Sequence, residues 1–244
     1  MTDAPKKVVL KDYDLRRRIV ALTIVPAMLI ASVIVAIPAA LIGGASVSIV
    51  VALIITIIAE LAVIAWALNF GGLLKGWATN LGLRNFKWKY VLLGIGAGQV
   101  FYWGLQLLAY VLALTGNPVS SSDTSQSLSS VSGVIGVIVL VLFVPFIVPF
   151  IEEVLFRGVI VTSLQNSKWK AAWISILVSA VSFGIMHIQG FSSITDLFTA
   201  IWITIMGGVF AFLYLKTKSL WTTIAAHSIY NLTSSVFILA GIAS

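Results

Sequence analysis

The chain has no cysteine among its 244 residues, only two histidines, and few charged side chains. Without cysteine it forms no disulfide, has no thiolate nucleophile and offers no sulfur ligand to a metal ion. Charged residues make up 9% of the sequence, whereas a soluble domain contains about 25%. Because 60% of the residues are hydrophobic and the mean hydropathy is +1.09, the composition excludes an ordinary soluble domain. It predicts a protein whose main solvent is lipid.

Long apolar runs separated by short polar stretches predict about seven transmembrane helices, since one span needs roughly 20 apolar residues. The predicted spans are 19–41, 47–68, 90–114, 133–164, 171–188, 197–215 and 220–242. The fold class is therefore an all-α, polytopic transmembrane helix bundle. Pro145 and Pro149 lie inside the fourth span and predict a kink just before a pair of glutamates. The first run is too long for the apolar region of a signal peptide, so we expect no cleaved leader.

The basic residues predict the orientation of the bundle. Fourteen of the 15 Lys and Arg residues fall in the N-terminal tail or in loops on one side of the predicted spans, and Arg157 lies inside the fourth span. Cytoplasmic loops carry such an excess, so we expect a cytoplasmic N-terminus in a multi-pass protein of the cell membrane. The chain then divides into a basic cytoplasmic tail (1–18), three spans with an outer loop (19–132) and four spans (133–244). The net charge of +7 belongs to these flanking residues and does not indicate nucleic acid as a partner.

Two further patterns concern the interior of the bundle. Gly94, Gly96 and Gly98 in the third span predict close packing against a neighbouring helix. Ionisable and amide side chains inside spans are unfavourable and mark function. The charged and histidine side chains inside the spans are few: Glu60 in the second span and Glu152, Glu153, Arg157, His187 and His227 in the last four, with the amide Asn231 one turn after His227.

The two adjacent glutamates are expected to differ in role. Glu153 and Arg157 are four residues apart, so they share a helix face and can form an ion pair. Glu152 is rotated by about 100° and is left without that partner. An unpaired carboxylate in an apolar site is suited to general-base activation of water. The alternative is a buried ion-pair network that only braces the bundle. Glu60 could join this cluster from the second span, but it is interpreted as a structural hydrogen-bonding residue or as one near the inner third of the membrane.

The histidines leave two chemistries open. His187 and His227 can bind a metal ion through neutral imidazole nitrogens, or they can hold the attacking water and stabilise an oxyanion. Asn231 lies one turn after His227, where it can donate to the oxyanion, orient the histidine or join two helices. Phe183, one turn before His187, is expected to pack against the site or to be an ordinary apolar aromatic.

Three short motifs in these spans resemble those of a known family. The segment EEVLFR at 152–157 fits EExxxR, FGIMH at 183–187 fits FxxxH, and HSIYN at 227–231 fits HxxxN. Their order and membrane setting resemble the CAAX-protease and bacteriocin-processing (CPBP, or Abi) family of intramembrane peptidases over about residues 133–235. The resemblance implies an all-helical bundle with a site open to the cytoplasm, and hydrolysis of a membrane-associated peptide or protein substrate within the lipid bilayer.

The resemblance also implies roles for individual residues. The residues it assigns are Glu152, His187, His227 and Asn231 as catalytic and Glu153, Arg157 and Phe183 as supporting. Glu152 is the expected base and Asn231 the expected support for the oxyanion. The family is often described as metalloproteases, and a metal-independent glutamate mechanism has also been argued, so the cofactor is either none or zinc. A zinc ion would be held by Glu152, His187 and His227. We favour the glutamate mechanism, because a simple zinc site has no need of a second glutamate held by an arginine.

Other functions use the same residues. A non-catalytic membrane scaffold or regulator on this fold is the main alternative, and a transporter with Glu and His inside the bilayer is a weaker one, since no repeat is found. The substrate, its prenylation and the oligomeric state do not follow from the sequence. One spacing fits poorly: His187 lies about 16 residues into its span, roughly 24 Å along a straight helix, which would place it too far outward. A kink at the prolines, a cytoplasmic extension of the hairpin of spans 4 and 5, or helix tilt would reconcile the depths.

Overall fold

A computed structural model describes residues 14–31, 45–116, 133–188 and 194–240. Within these ranges the chain forms eight helices and no strand. They are α1 (14–31), α2 (Ala45–Phe70), α3 (Trp77–Asn80), α4 (Trp88–Leu114), α5 (133–165), α6 (Ala172–Met186), α7 (Ile194–Thr217) and α8 (Leu220–Leu239). The predicted all-α membrane bundle is confirmed. Most of the predicted cytoplasmic tail, the Gly43-Gly44 turn and the outer loop over 117–132 lie outside the described residues.

Seven of these helices coincide with the predicted spans, and α3 is a short turn between two of them. By length and composition, three described helices can cross a membrane: Trp88–Leu114, Gly136–Gln165 and Asp196–Thr217. Shorter apolar helices occupy Ile54–Phe70 and Ala172–Met186. Large apolar side chains such as those of α4 point outward, where lipid solvates them better than water. The number of crossings and their orientation stay predictions.

Helix α5 departs from regular α geometry at two stretches. Val139–Ile147 and Val154–Val161 are π-helical, and the α-helical segment Val148–Glu153 between them carries both glutamates. Pro145 lies within the first π stretch. Proline has no N–H and clashes with the preceding turn, so a wider turn accommodates it. The helix is therefore locally widened at the prolines, and the kink predicted there stays a prediction.

The centre of the bundle is the second half of α5. Every side chain from 153 to 164 is buried, including the charged pair Glu153 and Arg157. Helices α2, α6, α7 and α8 all pack against α5, and α8 also packs along α4. This arrangement brings residues of α5, α6 and α8 to one place, although they are far apart in the sequence.

The contact of α4 with α8 depends on two of the three predicted glycines. A Cβ atom at Gly94 would collide with the carbonyl oxygen of Thr222, and one at Gly98 would collide with that of Ala226. A Cβ atom at Gly96 would meet nothing within 4 Å. Gly94 and Gly98 thus let the two backbones touch, whereas the expectation for Gly96 is wrong because its open side faces away from α8.

This difference gives a matched pair of variants. We expect Gly98→Ala to push α4 away from α8 and to lower the free energy of unfolding by about 1–3 kcal/mol. Gly96→Ala changes the same chemical group on the same helix without a collision, so it should be neutral or slightly stabilising. Unfolding of both proteins in detergent micelles, followed by circular dichroism, measures the difference. Equal destabilisation by the two variants would contradict the assigned packing.

Candidate active site

Two histidine side chains converge on one carboxylate oxygen of Glu152. Glu152 Oε2 lies 3.8 Å from His187 Nε2 and 3.7 Å from His227 Nε2. Glu152 lies in the middle of α5, His187 directly follows the last residue of α6, and His227 lies in α8. The His187 side chain is 29% exposed while that of His227 is 4% exposed. The cluster therefore opens to its surroundings on the His187 side.

Each histidine has its other ring nitrogen fixed. His187 Nδ1 lies 2.8 Å from the carbonyl oxygen of Phe183, and His227 Nδ1 lies 3.1 Å from Glu153 Oε1. A carbonyl oxygen only accepts hydrogen bonds, and so does an ionised carboxylate, so both Nδ1 atoms carry the proton. A neutral imidazole then presents its Nε2 lone pair toward Glu152.

The result is a concentration of hydrogen-bond acceptors. Glu152 Oε2 is buried and has no hydrogen-bond partner within the part of the chain that the structure describes. The two facing Nε2 atoms are also acceptors when the rings are neutral. Three acceptors around one small space need a hydrogen-bond donor between them, and a water molecule is the simplest such donor.

A fully buried ion pair of Glu153 and Arg157 supports His227 on the Nδ1 side of its ring. Arg157 Nη1 donates to Glu153 Oε1 at 2.7 Å, and both side chains have no exposed surface. Arg157 Nη2 also donates to the carbonyl oxygen of Gly207 at 3.1 Å. Glu153 Oε1 therefore receives hydrogen bonds from both Arg157 and His227, which fixes the imidazole ring. The pairing predicted from the i, i+4 spacing is present.

Phe183 packs against the site in two ways. Its buried ring lies 4.3 Å from the His187 ring and 5.6 Å from the His227 ring, measured between centroids. The Arg157 guanidinium lies over the same ring at 4.5 Å, which is within cation–π range. Because its carbonyl oxygen also accepts from His187, Phe183 sets both the position and the tautomer of that histidine.

The other two predicted polar residues lie around this cluster. Asn231 Nδ2 donates to the carbonyl oxygen of Val144 at 2.9 Å, so this described hydrogen bond reaches the backbone of α5 rather than a histidine. Glu60 on α2 is 8% exposed, and it lies close enough to Glu152 for their charges to interact. Helix α2 packs against the segment that carries Glu152. Glu60 is thus a neighbour of the cluster from the N-terminal half of the chain.

His187 lies at the level of Glu152, because their side chains are 3.8 Å apart. Glu152 precedes the end of α5 by 13 residues, and His187 follows the start of α6 by 15 residues. The two counts are similar, so the hairpin of α5 and α6 brings both residues to one level, and His187 is not displaced outward from Glu152.

The three convergent residues have the right chemistry for zinc but a wide spacing. Ligand atoms of tetrahedral zinc, bound at 2.0–2.1 Å, lie about 3.3 Å apart. The separations from Glu152 Oε2 are 3.7 and 3.8 Å. Among the described residues, no group of three His, Cys, Asp or Glu side chains is arranged to hold a metal ion. As they stand, these atoms do not form a metal-ligand set, and the steps proposed below do not use a metal.

Several groups at the site did not follow from the sequence. The carbonyl oxygen of Gly207 binds Arg157, and the Phe210 ring packs against both Arg157 and His227. The Gly207-Gly208 pair inside a span is a signal of close backbone approach that could have indicated the first contact. Nothing in the local sequence distinguishes Phe210 from other aromatic residues in the spans.

Comparisons with known proteins match parts of this chain. Residues 134–233 match the family described as "Type II CAAX prenyl endopeptidase Rce1-like". The chain is 37% identical over 83 residues to "Putative membrane peptidase YdiL" of Bacillus subtilis (strain 168), which covers 34% of this chain and 30% of that protein. It is 31% identical over 130 residues to "UPF0177 protein YxdF" of Lactococcus lactis subsp. lactis (strain IL1403), which covers 53% of this chain and 65% of that protein.

These matches concern parts of proteins. The chain spans less than two thirds of the length of either relative. No solved structure matches it. The matched segment 134–233 nevertheless contains all three motifs and the whole cluster around Glu152. Through this segment the chain, an all-α membrane protein, is similar to the Rce1-like family.

Proposed function

We propose that this protein is an intramembrane endopeptidase that hydrolyses a peptide bond of a membrane-associated peptide or protein. Glu152 activates the water. The observation that carries the proposal is the meeting of Glu152 Oε2 with two imidazole Nε2 atoms whose Nδ1 partners are fixed. The match of residues 134–233 to a family described as endopeptidases supports it. The protein works as a multi-pass component of the cell membrane.

The first step is addition of water to the scissile carbonyl. A water between Glu152 and His187 donates one proton to Glu152 Oε2 and the other to His187 Nε2. Its oxygen attacks the carbonyl carbon while Glu152 takes up a proton, so a C–O bond forms and the carbonyl oxygen becomes an oxyanion. The apolar surroundings strengthen every charge interaction within this space.

His227 is the proposed partner of the oxyanion. In the proposed step its ring enters protonated on both nitrogens, so Nε2 donates to the oxyanion while Nδ1 stays bound to Glu153. The charges balance in the intermediate, since Arg157 offsets Glu153 and His227 offsets the oxyanion after Glu152 has taken its proton. His187, whose Nδ1 is bound to the carbonyl oxygen of Phe183, orients the water through its Nε2.

The second step returns the proton. Glu152 gives its proton to the amide nitrogen of the tetrahedral intermediate, the C–N bond breaks, and an amine and a carboxylic acid leave. Glu152 is regenerated as a carboxylate. No cofactor is consumed in this sequence, and each proton has a donor and an acceptor among the described side chains or the substrate.

The experiment that tests the function uses purified full-length protein in lipid vesicles. The probes are two peptides of one sequence with a C-terminal Cys-aliphatic-aliphatic-X tail, one farnesylated and one not, and cleavage is followed by mass spectrometry. We expect cleavage of a membrane-bound probe at one peptide bond. Failure to cleave either probe, with a folded protein that still fulfils its role in cells after Glu152→Ala, would favour the scaffold.

Metal dependence is checked in the same assay. In the glutamate mechanism, 1,10-phenanthroline and EDTA should leave the cleavage rate unchanged, and the purified protein should contain less than stoichiometric zinc. Loss of cleavage with a chelator, restored by added zinc, would contradict the mechanism and support a metal held by Glu152, His187 and His227. A chelator-treated soluble zinc peptidase in the same vesicles is the positive control.

A further inference from the structure

The hydrogen bond that Asn231 donates to the backbone of α5 indicates a role for this residue in supporting that helix. In the first π stretch the N–H of Val148 donates to the carbonyl oxygen of Phe143, five residues earlier. The next donor in this register is residue 149, and its acceptor would be the carbonyl oxygen of Val144. Residue 149 is proline, which has no N–H. The carbonyl oxygen of Val144 therefore lacks its partner within the helix.

Asn231 supplies the missing donor. Its Nδ2 lies 2.9 Å from the carbonyl oxygen of Val144, and α8 packs along this stretch of α5. Inside a bilayer, a backbone group freed by proline has no bulk water to bind and must find a partner on a neighbouring helix. An asparagine amide has two N–H donors, and one of them is used here.

This bond connects the two helices that form the site. Val144 lies four residues before the α-helical segment Val148–Glu153, which carries Glu152. Asn231 lies one turn after His227 on α8. A link between Val144 and Asn231 thus fixes the start of the glutamate-bearing segment against the helix that holds His227, and it limits how far Glu152 Oε2 can move from the imidazole.

We propose that Asn231 is a positioning residue that caps the backbone carbonyl left free by Pro149, and so fixes the segment carrying Glu152 relative to His227. This differs from the role of an oxyanion donor that the family resemblance implies. The effect on catalysis rests on the proposed function, whereas the effect on the stability of the bundle does not.

A double-mutant cycle tests the proposal. Asn231→Ala leaves the carbonyl of Val144 without a partner, so we expect a melting temperature several degrees lower and a kcat about 10- to 100-fold lower, with a smaller change in KM. Pro149→Ala restores an N–H that can bind Val144 within α5. In the Pro149→Ala background, Asn231→Ala should therefore lower the melting temperature and kcat much less than in the wild type.

A positioning role and an oxyanion-donor role for Asn231 predict different results in this cycle. An oxyanion donor would lose the same factor in kcat in both backgrounds, and its replacement would leave the melting temperature unchanged; either result overturns the proposal. If the protein cleaves neither probe, the peptidase function fails, but the melting temperatures of the four proteins still test whether Asn231 caps the carbonyl oxygen of Val144. If Pro149→Ala does not fold, Pro149→Ser supplies the same N–H, and an unchanged melting temperature of Asn231→Ala alone is sufficient to reject the proposal.

Discussion

Glu152→Gln is expected to lower the rate of peptide cleavage by about 10²–10⁴-fold while the protein stays folded. Glutamine has almost the same shape as glutamate, but its amide cannot take a proton from water at neutral pH. Glu152 Oε2 has no hydrogen-bond partner among the described residues, so the substitution removes no described hydrogen bond of this oxygen. The measurement is the initial rate with the membrane-bound probe peptide, set beside the melting temperature of the same preparation.

Gly96→Ala is a suitable control for this comparison, since a methyl group there meets no atom within 4 Å. It should keep the wild-type rate and melting temperature. A Glu152→Gln protein that retains more than a tenth of the wild-type rate would rule out Glu152 as the base. Loss of rate together with a large fall in melting temperature would mean that the residue supports the fold instead.

The parts of the site that were predictable depend on local spacing. Residues four apart on a helix share a face, so the pairing of Glu153 with Arg157 follows from the sequence. The apolar runs likewise indicate where the helices lie. The fold class could be predicted because the bilayer leaves few alternatives to the helix for an apolar chain without closed strands.

The parts that were not predictable depend on how helices pack. Which face of α4 meets α8 decides that Gly94 and Gly98 are needed and Gly96 is not, and this rotation is not encoded in the glycine spacing. The height of His187 depends on where α5 and α6 end relative to α8. The tautomers of the histidines depend on Phe183 and Glu153, which are fixed only in the assembled bundle.

Pro149 shows that a residue can be visible in the sequence while its structural consequence is not. A proline in a span predicts an irregular helix, and the irregularity is present. A proline also leaves one backbone carbonyl oxygen without its donor in the helix. Which carbonyl this is depends on whether the hydrogen bonds join residues four apart, as in an α-helix, or five apart, as in a π-helix. Only the π winding assigns it to Val144, and only the packing of α8 shows that Asn231 reaches it.

The largest effect on stability is expected at Arg157. Arg157→Met removes one member of a fully buried ion pair and leaves the charge of Glu153 uncompensated, which should lower the free energy of unfolding by about 3–5 kcal/mol. The double variant Glu153→Gln with Arg157→Met removes both charges, and the glutamine carbonyl oxygen can still accept from His227 Nδ1. It should therefore recover most of the lost stability and hold His227 in the same tautomer.

The N-terminal helix offers a matched comparison for this prediction. Arg18 pairs with Asp14 at the same i, i+4 spacing and at 2.8 Å, but the two side chains are 27% and 14% exposed. Arg18→Met should lower the free energy of unfolding by less than about 1 kcal/mol, because water and ions screen an exposed pair. Chemical unfolding in micelles measures all three variants. If Arg157→Met and Arg18→Met were equally mild, or if the double variant were no more stable than Arg157→Met, the buried pair could not be the charge-balanced support of His227 that the proposed mechanism requires.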